Sequence, residues 1–234
     1  MNGELLKFES SIDLLTKHGA SEEFVVGFVQ NMIFRHQEPW RHYHVVDHPA
    51  DVAGFVVAHA NLLVAPVPTV ITAIGHDAVL MAQAPKYVNE ELTAQLLEYM
   101  ARPHIPDHET SLVGTYTRAS ASHLHDPNDP DLSLFLDGDL KILGASEDIF
   151  EEYDVNVGKE YEDAYDRSSY IMGRHHVLRG IFLRDRIYQT DVAYNLFERQ
   201  AKLNLGKKLL ELAAESREGL DGWNETIEAR LEEL

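Results

Sequence analysis

Apolar residues recur at three- and four-residue spacing along most of this chain, and that periodicity constrains the fold more than any other feature. Leu5, Leu6, Ile12 and Leu15 form one stripe, Phe24, Val25, Phe28, Val29 and Ile33 a second, and Leu92, Leu96, Leu97 and Met100 a third. A helix turns once every ~3.6 residues, so this spacing gathers side chains on one face, whereas a half-buried strand would alternate every second residue. Strand-like alternation is almost absent. Start signals agree: Ser21-Glu22-Glu23 and Asn89-Glu90-Glu91 each place a capping side chain and acids where a helix N-terminus needs them. Breaker-rich stretches at 66–68, 84–87, 102–107 and 126–131 read as loops. The spacing predicts helices near 3–18, 22–35, 47–64, 69–81, 89–101, 109–122, 131–143, 146–160, 163–186, 190–213 and 223–233. The expected fold is an all-α bundle.

No internal repeat and no Gly/Ser linker interrupts the 234 residues, and 216–221 is the one plausible hinge. The expectation is a single helical domain over 1–215 with an acidic helical tail over 216–234. Apolar residues make up 44% and charged residues 25%, values of an ordinary globular chain. Apolar runs are short or broken by Pro66 and Pro68, so no membrane span is expected, and the first twenty residues lack the uncharged core of a signal peptide. A cytoplasmic protein is the simplest reading. A formal net charge of −19 opposes binding of a nucleic acid polymer, which requires Lys and Arg to neutralise phosphates. A small anion can still enter a cleft with its own local positive charge. There is no cysteine, so any metal must be held by nitrogen and oxygen, and the thirteen histidines are the unusual count.

Three segments carry chemistry. Arg41-His42-Tyr43-His44-Val45-Val46-Asp47-His48-Pro49 puts three His in a short run; if Asp47 caps a helix, Pro49 falls in its first turn and His48 is held at a helix start. Ile71-Thr72-Ala73-Ile74-Gly75-His76-Asp77 reads as an apolar helix presenting adjacent His and Asp, and a buried carboxylate there must be paired or metal-bound. Phe135-Leu136-Asp137-Gly138-Asp139-Leu140 carries two Asp on different faces of a helix, of which one is expected to look into the core. Each segment alone is equally well explained by surface His, a hydrogen-bonded His-Asp pair, or capping Asp.

Taken in order, His, then His-Asp, then a distant Asp before Leu, these segments resemble the HD superfamily of metal-dependent phosphohydrolases. The stretch from Tyr43 to Val52 is also similar to the signature of cyclic-nucleotide phosphodiesterases, distant members of that superfamily. A closer resemblance, from Glu38 to about Leu212, is to a subgroup of predicted metal-dependent HD phosphohydrolases. It is carried by Glu38-Pro39, Arg41-His42-Tyr43-His44, His76-Asp77-Ala78-Val79, Asn89-Glu90-Glu91, 135–144, Arg174, Arg184, Ile187-Tyr188 and 201–205. The subgroup usually has Asn where Val45 stands and an aromatic where Leu80 stands, and 98–122 matches poorly.

The resemblance implies an HD-domain helical bundle and one or two divalent ions (Mg, Mn, Fe, Co, Ni or Zn) on His48, His76, Asp77 and Asp139. Asp77 could bridge to a second ion. It further implies hydrolysis of a phosphate-containing small molecule, a nucleotide-like monoester or diester, by metal-activated water. His44, with Asp47 and Asp51 as acidic neighbours, is the candidate proton donor to the leaving oxygen. Glu91 is a candidate to orient water, although capping explains it as well. Arg41, His123, Lys141 and Arg174 are candidates for contacting substrate, with His123 also a candidate for a second metal. His104, His108 and His125 read more simply as loop or surface residues. A homo-oligomer is compatible with these features. The competing readings are a non-catalytic HD-fold ligand-binding scaffold and a di-iron HD oxygenase, which needs His ligands beyond the four.

Overall fold

The computed structural model of the chain describes residues 3–124, 128–216 and 219–234, so His125 and part of the expected hinge lie outside the described residues. Among the described residues all regular structure is helical and no strand occurs. The packing divides the chain into two compact units, Met1–Asp139 and Leu140–Leu234.

The first unit contains α1 (Gly3–Leu6), α2 (Glu9–Lys17), α3 (Glu22–Arg35), α4 (Asp47–Ala58), α5 (Pro66–Gly75), α6 (Val88–Ala101), α7 (Asp107–Ala119) and α8, which spans Pro130–Leu140 and carries Asp139. Helix α5 is buried along its whole length and touches α2, α3, α4, α6 and α7, which makes it the axis of this unit. Around it lie Val25, Val29, Met32, Val52, Val56, Val70, Ile71, Ile74, Leu97, Val113 and Phe135, all inaccessible or nearly so. Each such side chain contributes roughly 1.5–3 kcal/mol relative to exposure.

Several expected boundaries move, each for a local reason. The segment 3–18 is two helices, because Lys7 and Phe8 form a turn whose amides bond the Glu4 and Leu5 carbonyls. Ser21 caps α3 as expected, its hydroxyl accepting from the Phe24 amide at 3.3 Å. Pro66 and Pro68 open α5 rather than breaking the chain, since a first-turn residue has no intrahelical use for an N–H. That N-terminus has no cap of its own; Asp131, at the start of α8, accepts the Val64 and Ala65 amides at 2.7 and 2.6 Å. A buried carboxylate thereby faces the positive end of the α5 dipole. Helix α5 also stops at Gly75, six residues before the expected end, so His76 and Asp77 lie just past the helix and not within it.

The second unit contains α9 (Glu147–Tyr161), α10 (Arg167–Phe182), α11 (Asp191–Glu215) and α12 (Asn224–Glu232), with 3-10 turns at Lys141–Gly144 and Leu220–Trp223. Helix α11 is its axis, touching α10, α12 and both 3-10 turns. Its polar residues serve neighbouring backbone: Asn204 donates to the Leu143 and Ala145 carbonyls at 2.8 and 2.9 Å, and Glu198 accepts the Ile187 and Tyr188 amides. Ile227 and Leu220 are buried, and Gly206 leaves room for Leu231, so the described residues of the acidic segment expected as a tail pack on α11 within this unit.

Candidate metal centre

Four side chains from three segments of the first unit converge. His48 lies in the first turn of α4, His76 caps the C-terminus of α5, Asp77 follows it, and Asp139 is next to last in α8. His48 Nε2 is 3.1 Å from His76 Nε2, 3.1 Å from Asp77 Oδ2 and 3.3 Å from Asp139 Oδ1. His76 Nε2 is 3.0 Å from Asp77 Oδ2 and 3.3 Å from Asp139 Oδ1. No two of the four donor atoms are more than 4.8 Å apart.

Metal–nitrogen and metal–oxygen bonds of about 2.1 Å at right angles place adjacent ligand atoms roughly 3.0 Å apart. Five of the six separations here are 3.0 to 3.3 Å, so the imidazoles stand as neighbours of each other and of both carboxylates around one point. The donor set, two nitrogens and two carboxylate oxygens, suits a divalent cation of the first transition row or a harder one. This group is able to hold a metal ion.

Charge within the cluster is tightly coupled. Burial opposes a charged His48, yet hydrogen bonds to Asp139 and Asp77 outweigh it and raise its pKa. Burial likewise opposes charge on His76, and the two carboxylates lift it well above the usual histidine range. Burial would raise Asp77 and Asp139, but the neighbouring imidazoles, His76 foremost, hold both well below the usual carboxylate range.

Local sequence explains how each piece is held. Asp47 is the first residue of α4 and not its cap; its carboxylate is hydrogen-bonded by Lys7. Pro49 sits in the first turn and His48 is fixed beside it, as expected. Past the end of α5 and ahead of α4 the chain exposes carbonyls that need donors, and Arg41 supplies them: Nη1 donates to the Asp77 carbonyl at 2.9 Å and the His44 carbonyl at 3.3 Å, and Nη2 to the Ala78 carbonyl at 3.3 Å. Its Nε bonds Glu38 at 2.9 Å. Arg41 is buried and committed to these four groups, so it positions the segments bearing His44 and Asp77 instead of presenting a free cation to substrate. Thr93 Oγ1 accepts the Val79 amide at 3.1 Å, and Asn89 clasps the backbone of Met81 through both its oxygen and its nitrogen. Asn89 therefore braces the segment after Asp77; it does not cap α6, whose N-cap is Tyr87.

His44 Nε2 lies 3.8 Å from Asp77 Oδ2, so Asp77 is the carboxylate at its tip, and Asp47 is engaged by Lys7. His123 Nε2 lies 2.9 Å from Asp139 Oδ2, the oxygen turned away from His48 and His76. Its backbone φ of +50° is left-handed, a conformation that costs a non-glycine residue on the order of 1–3 kcal/mol, and the residue so held orients a ligand carboxylate. Exposure shows which side is open: the His76 and His48 side chains are 1% and 5% accessible, those of His44, Asp77 and His123 between 20% and 24%.

The remaining expected residues have other placements. Glu91 lies on α6, where Arg118 grips it through Nε at 2.7 Å and Nη2 at 3.1 Å; that guanidinium, with Gln95, holds its pKa down to about 2. A carboxylate so engaged is poorly suited to accept a proton from water. Arg174, on α10 of the second unit, is paired with Asp154 at 2.9 Å and stacked on Tyr153, a structural arrangement; Lys141 opens the 3-10 turn of that unit. His104 stacks on Phe24 at 4.3 Å and His108 is exposed. Asp137 is buried and Asp139 partly so, so neither of the pair faces outward, against the expectation that only one looks into the core. The sequence did not point to His36, a buried imidazole bonded to the Met32 carbonyl, which burial and the Arg41 charge push down to about 3 and so keep neutral.

Comparisons with protein-family models, with curated proteins and with solved structures return no match for this chain.

Proposed function

We propose that this chain is a metal-dependent hydrolase of a phosphate ester in a small molecule, a nucleotide-like monoester or diester. One observation carries the reading: four metal-ligating side chains meet around a single point, closed behind by buried imidazoles and open on the side of His44, Asp77 and His123. A divalent cation held there supplies a Lewis acid for a phosphoryl oxygen and an acidified water as nucleophile.

The protein's own groups divide the remaining work. His48, His76, Asp77 and Asp139 would hold the ion, which would supply the site for an activated water and for a phosphate oxygen. His44 stands at the open side with Nε2 towards Asp77, where it can carry a proton for the departing oxygen. His123 fixes the second oxygen of Asp139. Arg41 keeps the carbonyls of His44, Asp77 and Ala78 in one arrangement, so donor and ligand move together. Positive charge for the phosphate would come from the cation, since Arg41 and Arg118 are engaged by carboxylates.

The test is turnover of p-nitrophenyl phosphate and bis(p-nitrophenyl) phosphate by protein loaded in turn with magnesium, manganese, cobalt, nickel, zinc and iron(II), beside Asp77→Ala and His44→Ala. The reading expects hydrolysis lost in Asp77→Ala, and reduced in His44→Ala at unchanged metal content. Loaded protein that turns over neither ester, or an Asp77→Ala variant as active as the parent, overturns it in favour of a ligand-binding scaffold.

A further inference from the structure

Between the start of α6 and the end of α7 lies a pocket of about 530 Å³, within the size range of small-molecule sites. Tyr87, Val88, Leu92, Ala121, Ser122 and the Arg118–Glu91 pair form its walls. Its cations are engaged locally: Arg118 binds Glu91 through Nε and Nη2 and Glu98 through Nη1 at 2.8 Å, and Lys86 Nζ lies 4.6 Å from the Tyr87 ring centre. Bringing a phosphate here would place it beside two carboxylates, Glu90 and Glu91. What the walls offer is the half-exposed Tyr87 ring with Val88, Leu92 and Ala121, surfaces that suit an uncharged planar group.

Both walls belong to segments tied to the metal centre. Ser122 is followed directly by His123, whose imidazole touches Asp139, and consecutive Cα atoms are only ~3.8 Å apart. On the other side, Thr93, which follows the lining residue Leu92 in α6, holds the amide of Val79, two residues past Asp77. Among the described non-glycine residues, Tyr87 and His123 are the two with positive φ, and they stand at the pocket and at the centre's rim.

We infer that this pocket takes the uncharged planar ring of the substrate, stacked on Tyr87, while the phosphate end is held at the metal centre. The assignment of the phosphate end rests on the hydrolase reading; ring binding is read independently of turnover. The test is calorimetric titration of manganese-loaded protein with adenosine 5′-monophosphate and with ribose 5-phosphate, which share a phosphate and differ in the ring. Three variants accompany the parent. Tyr87→Asn removes the ring but tolerates left-handed backbone, Ala121→Trp fills the pocket, and Asp139→Asn removes a metal ligand. The expected result is about tenfold tighter binding of the ring-bearing ligand, with the difference erased in Tyr87→Asn and in Ala121→Trp while ribose 5-phosphate binds as before. Equal affinities in the parent, or a preference that survives both pocket variants, overturns the inference. Asp139→Asn should weaken both ligands alike and preserve their ratio. If it weakens neither, the placement of phosphate at the metal fails while the ring site stands.

Discussion

Replacing Arg41 with Met keeps much of the side chain's bulk and deletes the guanidinium, which makes the substitution a direct measure of what that group holds. The structure predicts three carbonyls left without their donor, that of Ala78 buried and those of His44 and Asp77 partly buried, and Glu38 left without its partner. Glu38 is partly exposed and can turn to water, so its loss is small. A buried polar group deprived of its partner costs about 1–3 kcal/mol; two of the three contacts are long at 3.3 Å, which puts the total near the lower half of the sum, about 3–5 kcal/mol. With a urea dependence of about 2 kcal/mol per molar, the midpoint of metal-free protein should fall by roughly 1.5–2.5 M. Arg41→Lys should recover only part of this, because an ammonium cannot span carbonyls on both sides of the fork. The measurement is urea unfolding followed by circular dichroism at neutral pH. A loss under about 1 kcal/mol in Arg41→Met would mean that the segments bearing His44 and Asp77 are held by other groups, and the positioning role would be refuted.

Other outcomes follow from the same structure. Manganese at a hundred times its dissociation constant should stabilise the folded chain by about 2.7 kcal/mol and raise Tm by roughly 5–10 °C in a thermal shift assay, and Asp139→Asn should abolish the shift; a shift that persists places the ion elsewhere. Metal affinity should rise with pH, because His48 and His76 have raised pKa values and must lose protons to become ligands; calorimetric affinities that stay flat from pH 6 to 8 contradict this. For metal-free protein the signs run oppositely. The raised histidines contribute stability that is complete below their unfolded value of about 6.5 and is lost as pH climbs through their folded values, while lowered Asp77 and Asp139 contribute above about 3.9 and lose it as pH falls through theirs. Metal-free stability should therefore peak between about pH 4 and 6.5, and a maximum above pH 8 in urea titrations would be inconsistent. In the second unit, Gly144→Ala would set a Cβ 2.6 to 2.9 Å from Phe197, two of those contacts being backbone atoms. A cost of about 1–3 kcal/mol is expected, and an unchanged urea midpoint would refute the close approach.

The helical class was legible because burial on one face leaves its period in the sequence, and the stripes at 24–33 and 92–100 became α3 and α6. The four candidate residues were legible because their order along the chain resembles the HD pattern, residue chemistry alone leaving each segment open, and the structure brings His48, His76, Asp77 and Asp139 together. What sequence reading missed was long-range hydrogen bonding. Asp131 lay in a stretch read partly as loop and holds the two amides just ahead of a different helix; Arg41 read as a cation for substrate and is a donor to carbonyls at 44, 77 and 78. Glu91 read as a residue orienting water or as a cap, and its partner Arg118 lies 27 residues away. Nothing local in a sequence records such a partner, since each bond depends on how helices meet. The prolines of α5 were misread for a simpler reason: they break a helix interior but favour a first turn, and position decides which.

Helix α8 works as a ruler. Asp131 ties its beginning to the beginning of α5, and eight residues on Asp139 meets His76 at the end of α5, so both helices run in the same direction between two fixed points. One residue inserted between Asp131 and Asp139 would swing the second carboxylate about 100° around the axis and advance it about 1.5 Å, turning it off the cluster while the first stayed anchored. Side chains along that stretch can change one at a time within the limits of packing, but its length cannot: an insertion or deletion there acts as a loss of the ligand itself, with every original residue still in place.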